Sequence, residues 1–391
     1  MKAPGKKAIV VGGGIGGLSA AAGLHRIGWD VTVLERHDTL REIGAGISLM
    51  PSAQKALDQL GVGDELRAIA AIVPPPGVRA PNGRRIMHGI DPLVMQQRGL
   101  VSVALLRADL LSVIGSAVPT ASVITGAEAT KVTEDGSVAY TKGDDHLSLQ
   151  GDLVVVADGI SSRLRRQLWP DAPAPSYSGH SVWQGATSRP VPHPEFSGNT
   201  WGRGHQFGRM PLAGGRVGWY AVANTPAGTR YDDEHAEVLR RFGSWHDPIP
   251  EIIRATEVVL HHDSNELRTP LSTFVQGRVA LLGDAAHPMT SDIGQGACQA
   301  IEDAVVLCAH LQRANDLPTA LKQYDEQRRP HTWKITEASH SMGKMTMLEH
   351  PLAVLLRDRV AGILPSGPAV KATADVGGWQ PPTLDVNGGG K

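Results

Sequence analysis

The 391-residue chain has only two cysteines, Cys298 and Cys308. They show no CxxC spacing, so neither a disulfide framework nor a redox pair is expected. Both fall in one predicted helix, where they read as core thiols, and the cytoplasm is the expected compartment. Charge of one sign is lacking as well: 38 Lys and Arg against 39 Asp and Glu leave a formal net charge of −1. No basic field exists to draw in nucleic acid or an anionic membrane, so neither is an expected partner. No run of about 18 apolar residues is available to cross a bilayer. The apolar N-terminal stretch is already used as a strand, and no secretory leader is expected. No histidine stands in an HExxH pattern or a zinc-spaced Cys/His cluster, so no metal is expected; the adjacent His261 and His262 would point to opposite faces of a strand. Internal repeats and heptads are absent too. What remains is a chain long enough for two or three domains, with a small molecule as its default ligand.

Three motifs stand out against that background. The first follows the apolar run Ala8, Ile9, Val10 and Val11, and reads Gly12-Gly-Gly14-Ile-Gly-Gly17 before the helical Leu18, Ser19 and Ala20. Gly12, Gly14 and Gly17 occupy the three glycine positions of the dinucleotide fingerprint, which serve the turn, the close approach of a pyrophosphate and helix-on-strand packing. The helix N-terminus turns unpaired N–H groups toward the phosphates. A second apolar strand, Val31 to Leu34, ends at Glu35, where a carboxylate can accept from ribose hydroxyls. The second motif is Ala157-Asp158-Gly159-Ile-Ser-Ser-Arg-Leu-Arg165, at the end of the apolar strand Leu153 to Val156. The third is Gly283-Asp284-Ala-Ala-His287-Pro288-Met289, followed by Gly294, Gln295 and Gly296 at the start of a helix. A Gly-Asp pair at a strand end and a glycine-flanked helix start suit the sugar chain and ring of a flavin.

The pattern along the chain predicts an α/β fold. A Rossmann-like FAD-binding domain (residues 1–73, 98–170 and 270–323) is interrupted by a mainly antiparallel β-sheet substrate domain (74–97 and 171–269). C-terminal helices and a tail follow (324–391). The buried runs Leu153 to Val156 and Val279 to Leu281 fit a parallel sheet covered on both sides. The Pro- and Gly-rich middle, with alternating segments such as Arg216 to Ala223, fits antiparallel strands. His287 reads as structural, and the neighbours Glu302 and Asp303 as a solvated or capping feature of their helix.

Taken together, the three motifs resemble those of the single-component FAD-dependent aromatic hydroxylases, which include salicylate, 3-hydroxybenzoate and urate hydroxylases and zeaxanthin epoxidase. The resemblance implies FAD, with NADPH or NADH as a transient co-substrate, and hydroxylation or epoxidation of an aromatic or polycyclic small molecule by dioxygen through a flavin C4a-hydroperoxide. It implies that Gly12, Gly14, Gly17, Glu35 and Arg36 hold the ADP half of FAD and that Arg107 contacts the pyrophosphate or ribityl region. Asp158 would lie near FAD and the nicotinamide, Asp284 at the ribityl chain, and Gly294, Gln295 and Gly296 near the flavin ring. Such an enzyme would be a monomer or homodimer. Trp183, Trp219 and Met289 are expected to bind substrate, and His205, Gln206 and Pro288 to face the reaction, with His205 the titratable candidate for a base. Two positions depart from the pattern: Gln184 and Gln206 stand where relatives often carry arginine, which favours a neutral or larger aromatic substrate. An oxidase, dehydrogenase or reductase on the same fold is the competing reading, and a non-enzymatic flavin-binding protein the lesser one. A halogenase lacks its WxWxIP segment here, and a Baeyer–Villiger enzyme its FxGxxxHxxxW pattern.

Overall fold

Short apolar strands line up in parallel in the order Val279–Leu281, Leu153–Val156, Lys7–Val11, Asp30–Leu34 and Val123–Ile124. Val275–Gln276 closes one edge as an antiparallel partner. This computed structural model describes residues 6–40, 44–363 and 365–385; the glycine-rich tail expected at the end of the chain lies, from residue 386 on, outside the described residues. Every side chain of Leu153–Val156 is buried, as a strand covered by helices on both faces requires. Register then decides where the motifs go. Val11 pairs with Val156, and Val156 with Leu281. The strands therefore end level, and Gly12, Asp158 and Asp284 leave the sheet side by side at its carboxyl edge, where open α/β sheets bind ligands.

The helix Gly296–Arg313 packs among Ile15–Arg26, Pro51–Leu60 and Leu317–Thr346. That position corrects one expectation: Glu302 and Asp303 are neither solvated nor capping residues but are wholly buried. Helices cover this helix on more than one side, so residues pointing in different directions both end in the interior.

A second, seven-stranded sheet runs in the order Leu260–Glu266, Ser176–Ala186, Val217–Asn224, His205–Pro211, Gly198–Trp201, Gly77–Arg79 and Arg85–Met87. It is antiparallel except where Gly198–Trp201 meets Gly77–Arg79. One face carries Trp183, Phe207, Trp219, Ala221 and Ala223, packed under the helices Glu234–Phe242 and Ile249–Arg254. The alternating residues Gln184, Gln206 and Tyr220 turn to the other face, toward a cavity. The helix Pro351–Ile363 lies across Arg85–Met87. Arg357 anchors it, donating to the carbonyls of Thr346 (2.8 Å) and Gly202 (3.2 Å) and lying 5.4 Å over the ring of Trp201. Among the described residues no helix is long and apolar enough to cross a membrane.

Candidate active site

A cavity of about 1970 Å³ separates the carboxyl edge of the parallel sheet from the seven-stranded sheet. At its phosphate-like end each fingerprint glycine has its own physical reason. Gly12 has φ +107°, and a Cβ there would come within 2.4 Å of the Ala157 carbonyl oxygen. At Gly17 a Cβ would lie 1.9 Å from the Gly12 carbonyl oxygen, so the helix can seat against the turn only without one. Gly14 is different: nothing lies within 4 Å of a Cβ placed there. It lines the cavity at the uncapped start of Ile15–Arg26, leaving room for an anion against free N–H groups. Glu35 braces this turn, accepting from Gly13 N at 2.6 Å and from His37 N at 2.9 Å. Arg36 beside it is exposed.

Deeper in, Asp284 opens into the cavity yet lies far inside the protein. That depth pushes its carboxyl above the usual range, while His287, Arg107 and Arg165 pull it back. Arg107 also lines the cavity. Burial lowers its guanidinium and the charge of Asp284, which lines the same cavity, opposes the shift. Gly296 stands opposite Asp284, its added Cβ 3.8 Å from Oδ1. Gly294, with φ +64°, makes the turn into the helix. Gln295 begins that helix with no side-chain cap, and its own side chain is buried and receives a 3.2 Å bond from Gln299 Nε2. This leaves the helix N–H groups aimed at the cavity, where they would stabilise negative charge on a bound ring.

Behind the Gly283–Asp284 turn lies a buried network. Asp303 accepts from Gly283 N (2.9 Å), Arg328 Nε (2.6 Å) and His287 Nε2 (2.6 Å). Burial alone would raise the Asp303 carboxyl, but His287 and Arg328 outweigh it and hold it down at about 2. Arg328 also reaches Glu302 at 3.2 Å and the side chain of Gln299 at 2.8 Å. His287 is thus structural, as expected. Arg165 joins the other two motifs, donating to the carbonyls of Ala285 and Ile160, each at 2.9 Å. Asp158 sits at that joint with its carboxyl raised by burial and steadied by Ser162. The sequence points to no role for Arg165 or Arg328 and to a solvated or capping one for Asp303; only the position of Arg165 within the second motif carries a hint.

At the substrate-facing end the expected residues divide. Gln206 and Met289 line the cavity; Trp219 borders it only from its strand, its ring being stacked on Phe207 on the helix-covered face and bonded to Thr256, which corrects the expectation that it binds substrate. His205 and Trp183 do not line it, and these two expectations are corrected. His205 follows the opposite alternation to Gln206, with Nδ1 2.8 Å from the Arg203 carbonyl oxygen and its ring edge-on to Phe242. Trp183 is fully buried on the helix-covered face, stacked on His261, and donates to Glu234 at 2.7 Å. Pro288, also expected to face the reaction, is corrected too: it is buried one residue short of the lining, its carbonyl accepting from Leu267 N at 3.0 Å. Beside Gln206 the cavity presents a cluster of uncharged polar groups. The Tyr220 hydroxyl donates to Asn199 Oδ1 (2.7 Å) and accepts from Gln206 Nε2 (3.2 Å), with Gln184 paired beside it across the strands. Burial pushes the Tyr220 phenol well up, so it remains a donor.

A family described as FAD binding domain matches residues 6–339. The aurachin C monooxygenase/isomerase of Stigmatella aurantiaca is 34% identical over 363 residues, covering 92% of this chain and 94% of that protein. An FAD-dependent urate hydroxylase of Klebsiella pneumoniae is 34% identical over 338 residues, covering 82% and 85%. In structure the chain is similar to an arginine-to-glutamine variant of Klebsiella pneumoniae HpxO solved with FAD, with a TM-score of 0.86, 29% identity, and 95% and 98% of the two chains covered. With a glycine cradle, an acid at the second strand end and an aspartate facing an uncapped helix all on one crevice, the chain belongs to the FAD binding domain family and is an FAD-dependent monooxygenase.

Proposed function

We propose that this monooxygenase hydroxylates a neutral aromatic or heteroaromatic small molecule, using dioxygen and NADH or NADPH, and works in the cytoplasm. The carrying observation is the cluster of Gln184, Gln206, Tyr220 and Asn199, which offers only amide and hydroxyl groups, while Arg209 and Arg230, which line the same cavity, are turned to the His193 carbonyl and to Asp263. A carboxylate left there would be desolvated without a charge partner, whereas a ring hydroxyl, carbonyl or N–H meets donors and acceptors of its own kind. The two unpaired, buried thiols support the reducing compartment.

Bound FAD supplies hydride acceptance and oxygen activation. The chain's residues do the rest. Gly12, Gly14, Gly17, Glu35 and Arg36 hold the adenosine and pyrophosphate half, Arg107 and Asp158 the middle, and Asp284 the ribityl hydroxyls. The N–H groups of Gln295 and Gly296 would stabilise negative charge on the ring, while Gly294, whose own N–H is given to the Ser291 carbonyl at 3.0 Å, shapes the turn that presents them. Segments 74–97 and 171–269 supply the substrate wall, where Gln206 and Tyr220 fix the ring, and Met289 from the third motif helps keep water from it. No base is assigned: an electron-rich neutral ring is oriented rather than ionised.

The test uses FAD-loaded protein with NADH and with NADPH, against neutral hydroxylated aromatics and their carboxylated counterparts, with product analysed for added oxygen. Faster oxidation with neutral rings, matched by oxygenated product, is the expected result. Preference for the carboxylated set would overturn the substrate reading, and peroxide without product would favour an oxidase.

A further inference from the structure

The cavity does not end at the polar cluster. Asn199, which receives the Tyr220 hydroxyl, is paired in register with Val78, and Val78 with Met87. From there the lining turns apolar. Ile72 from the strand Ala71–Val73, Met345 from the end of Leu317–Thr346, and Leu356 and Val360 from Pro351–Ile363 all face the same cavity. These four are also open to water: Ile72 is 68% exposed, Leu356 64%, Val360 43% and Met345 38%. Leu356 and Val360 are one helical turn apart on a single stripe, and the Arg357 anchor fixes the helix that carries them. An apolar wall that is held in place, continuous with a ring-sized polar cluster and still wet is a surface shaped for something that arrives with the ring.

We propose that this wall is a second subsite that takes an aliphatic chain carried by the substrate, with the ring at Gln206 and Tyr220 and the chain running past Met87 to Leu356 and Val360. The inference rests on the hydroxylase reading above. A rigid, flat aromatic alone would leave the wall wet. A chain attached to the ring covers it, and each methylene that does so contributes by leaving water.

The experiment is an equilibrium titration of FAD-loaded protein with 4-alkylphenols from ethyl to octyl, read from the perturbation of the flavin absorption bands, followed by NAD(P)H oxidation with the same compounds. Affinity is expected to rise about threefold to fourfold per methylene, as burial of a CH2 group gives. The double variant Leu356→Ser, Val360→Ser, altered only at exposed positions, is expected to keep its FAD affinity and lose at least about half of that slope on a logarithmic scale. Affinity independent of chain length, no binding even of the octyl compound, or an undiminished slope in the double variant would each overturn the subsite. So would a flat series in which the double variant instead abolishes self-association, since the stripe would then be a contact between copies. A slope that depends on Leu356 and Val360, found with no substrate-stimulated NAD(P)H oxidation, supports the subsite while removing the hydroxylase reading.

Discussion

Arg328 Nε donates to Asp303 Oδ1 at 2.6 Å with both side chains shut off from solvent, directly behind the turn that carries Asp284. The other oxygen of Asp303 holds Gly283 N and His287. One carboxylate therefore fixes a backbone amide next to a cofactor-facing residue and pairs with a cation brought from a helix 25 positions later in sequence. Removing one member of a buried pair leaves the other uncompensated, which costs about 3–5 kcal/mol. Asp303→Ala is expected to lose stability on that scale and to purify with little flavin. Asp303→Asn keeps the Gly283 acceptor and should retain more of both. Thermal unfolding with and without added FAD checks this, and an Asp303→Ala protein that is stable and fully flavinated would show the network to be dispensable.

The same carboxylate sets an acid limit. Its folded value near 2 lies below its ordinary 3.8, so its contribution is fully present above about pH 4, and is lost as pH falls through the folded value toward about 2. For a group this deeply buried the linkage amounts to about 2 kcal/mol. Denaturant midpoints measured across that window should fall more steeply in the wild type than in Asp303→Asn. Parallel curves would assign the acid sensitivity elsewhere.

Two fingerprint glycines separate folding from cofactor binding. At Gly17 a methyl group would meet a backbone oxygen at 1.9 Å. Alanine's better helix propensity, about 1 kcal/mol, does not offset that clash, so Gly17→Ala should destabilise the protein by about 1–3 kcal/mol. At Gly14 the methyl enters open space, so Gly14→Ala should change stability by no more than about 0.5 kcal/mol while weakening FAD by about tenfold or more, the space being the pyrophosphate's. Flavin-fluorescence titration beside thermal melts resolves the two; equal effects of both variants on melting would contradict the assignment.

Both cysteines should be silent in the folded protein. Burial pushes the Cys298 thiol up to about 12 and raises Cys308 further, and the thiolate is the reactive form. A thiol-specific chromogenic reagent at neutral pH should find neither until denaturant is added and then titrate both; rapid modification of native protein would place one of them on a mobile surface.

The parts of this site that were legible in the sequence are those where backbone chemistry dictates the residue. Gly12 and Gly17 are required by close approach, and Asp284 marks a strand end. What local pattern could not settle was facing. Alternation says that His205 and Gln206 point apart, but only the pairing of His205 with Ala223 and of Gln206 with Val222, together with helices packed on one side, decides which meets the ligand. Trp183 was misplaced for the same reason. Glu302 and Asp303 looked like surface charge because neighbours on a helix diverge, and nothing local reveals that Arg328 waits on a distant helix. The apolar wall from Leu356 and Val360 was not legible because local pattern predicts only C-terminal helices there, and the tertiary fold alone carries the helix Pro351–Ile363 to the cavity.

Gln206 offers a direct test of how the cavity chooses charge. It is 2% exposed and bonded to Tyr220, so an arginine there would place a cation in a dry cluster of amides and a phenol, where the carboxylate that acts on Tyr220, Asp292, already faces His180 at 3.9 Å. The unliganded Gln206→Arg protein should therefore be less stable than wild type. An anionic ligand would supply the missing partner, so salicylate should raise the melting temperature of the variant more than that of the wild type. In turnover, the ratio of kcat/KM for carboxylated over neutral aromatics should rise by at least about tenfold, roughly the worth of one charge-assisted hydrogen bond, while FAD affinity stays unchanged because Gln206 lies on the substrate sheet. A ratio that does not move, in a variant that binds FAD normally, would show that Gln206 does not read substrate charge.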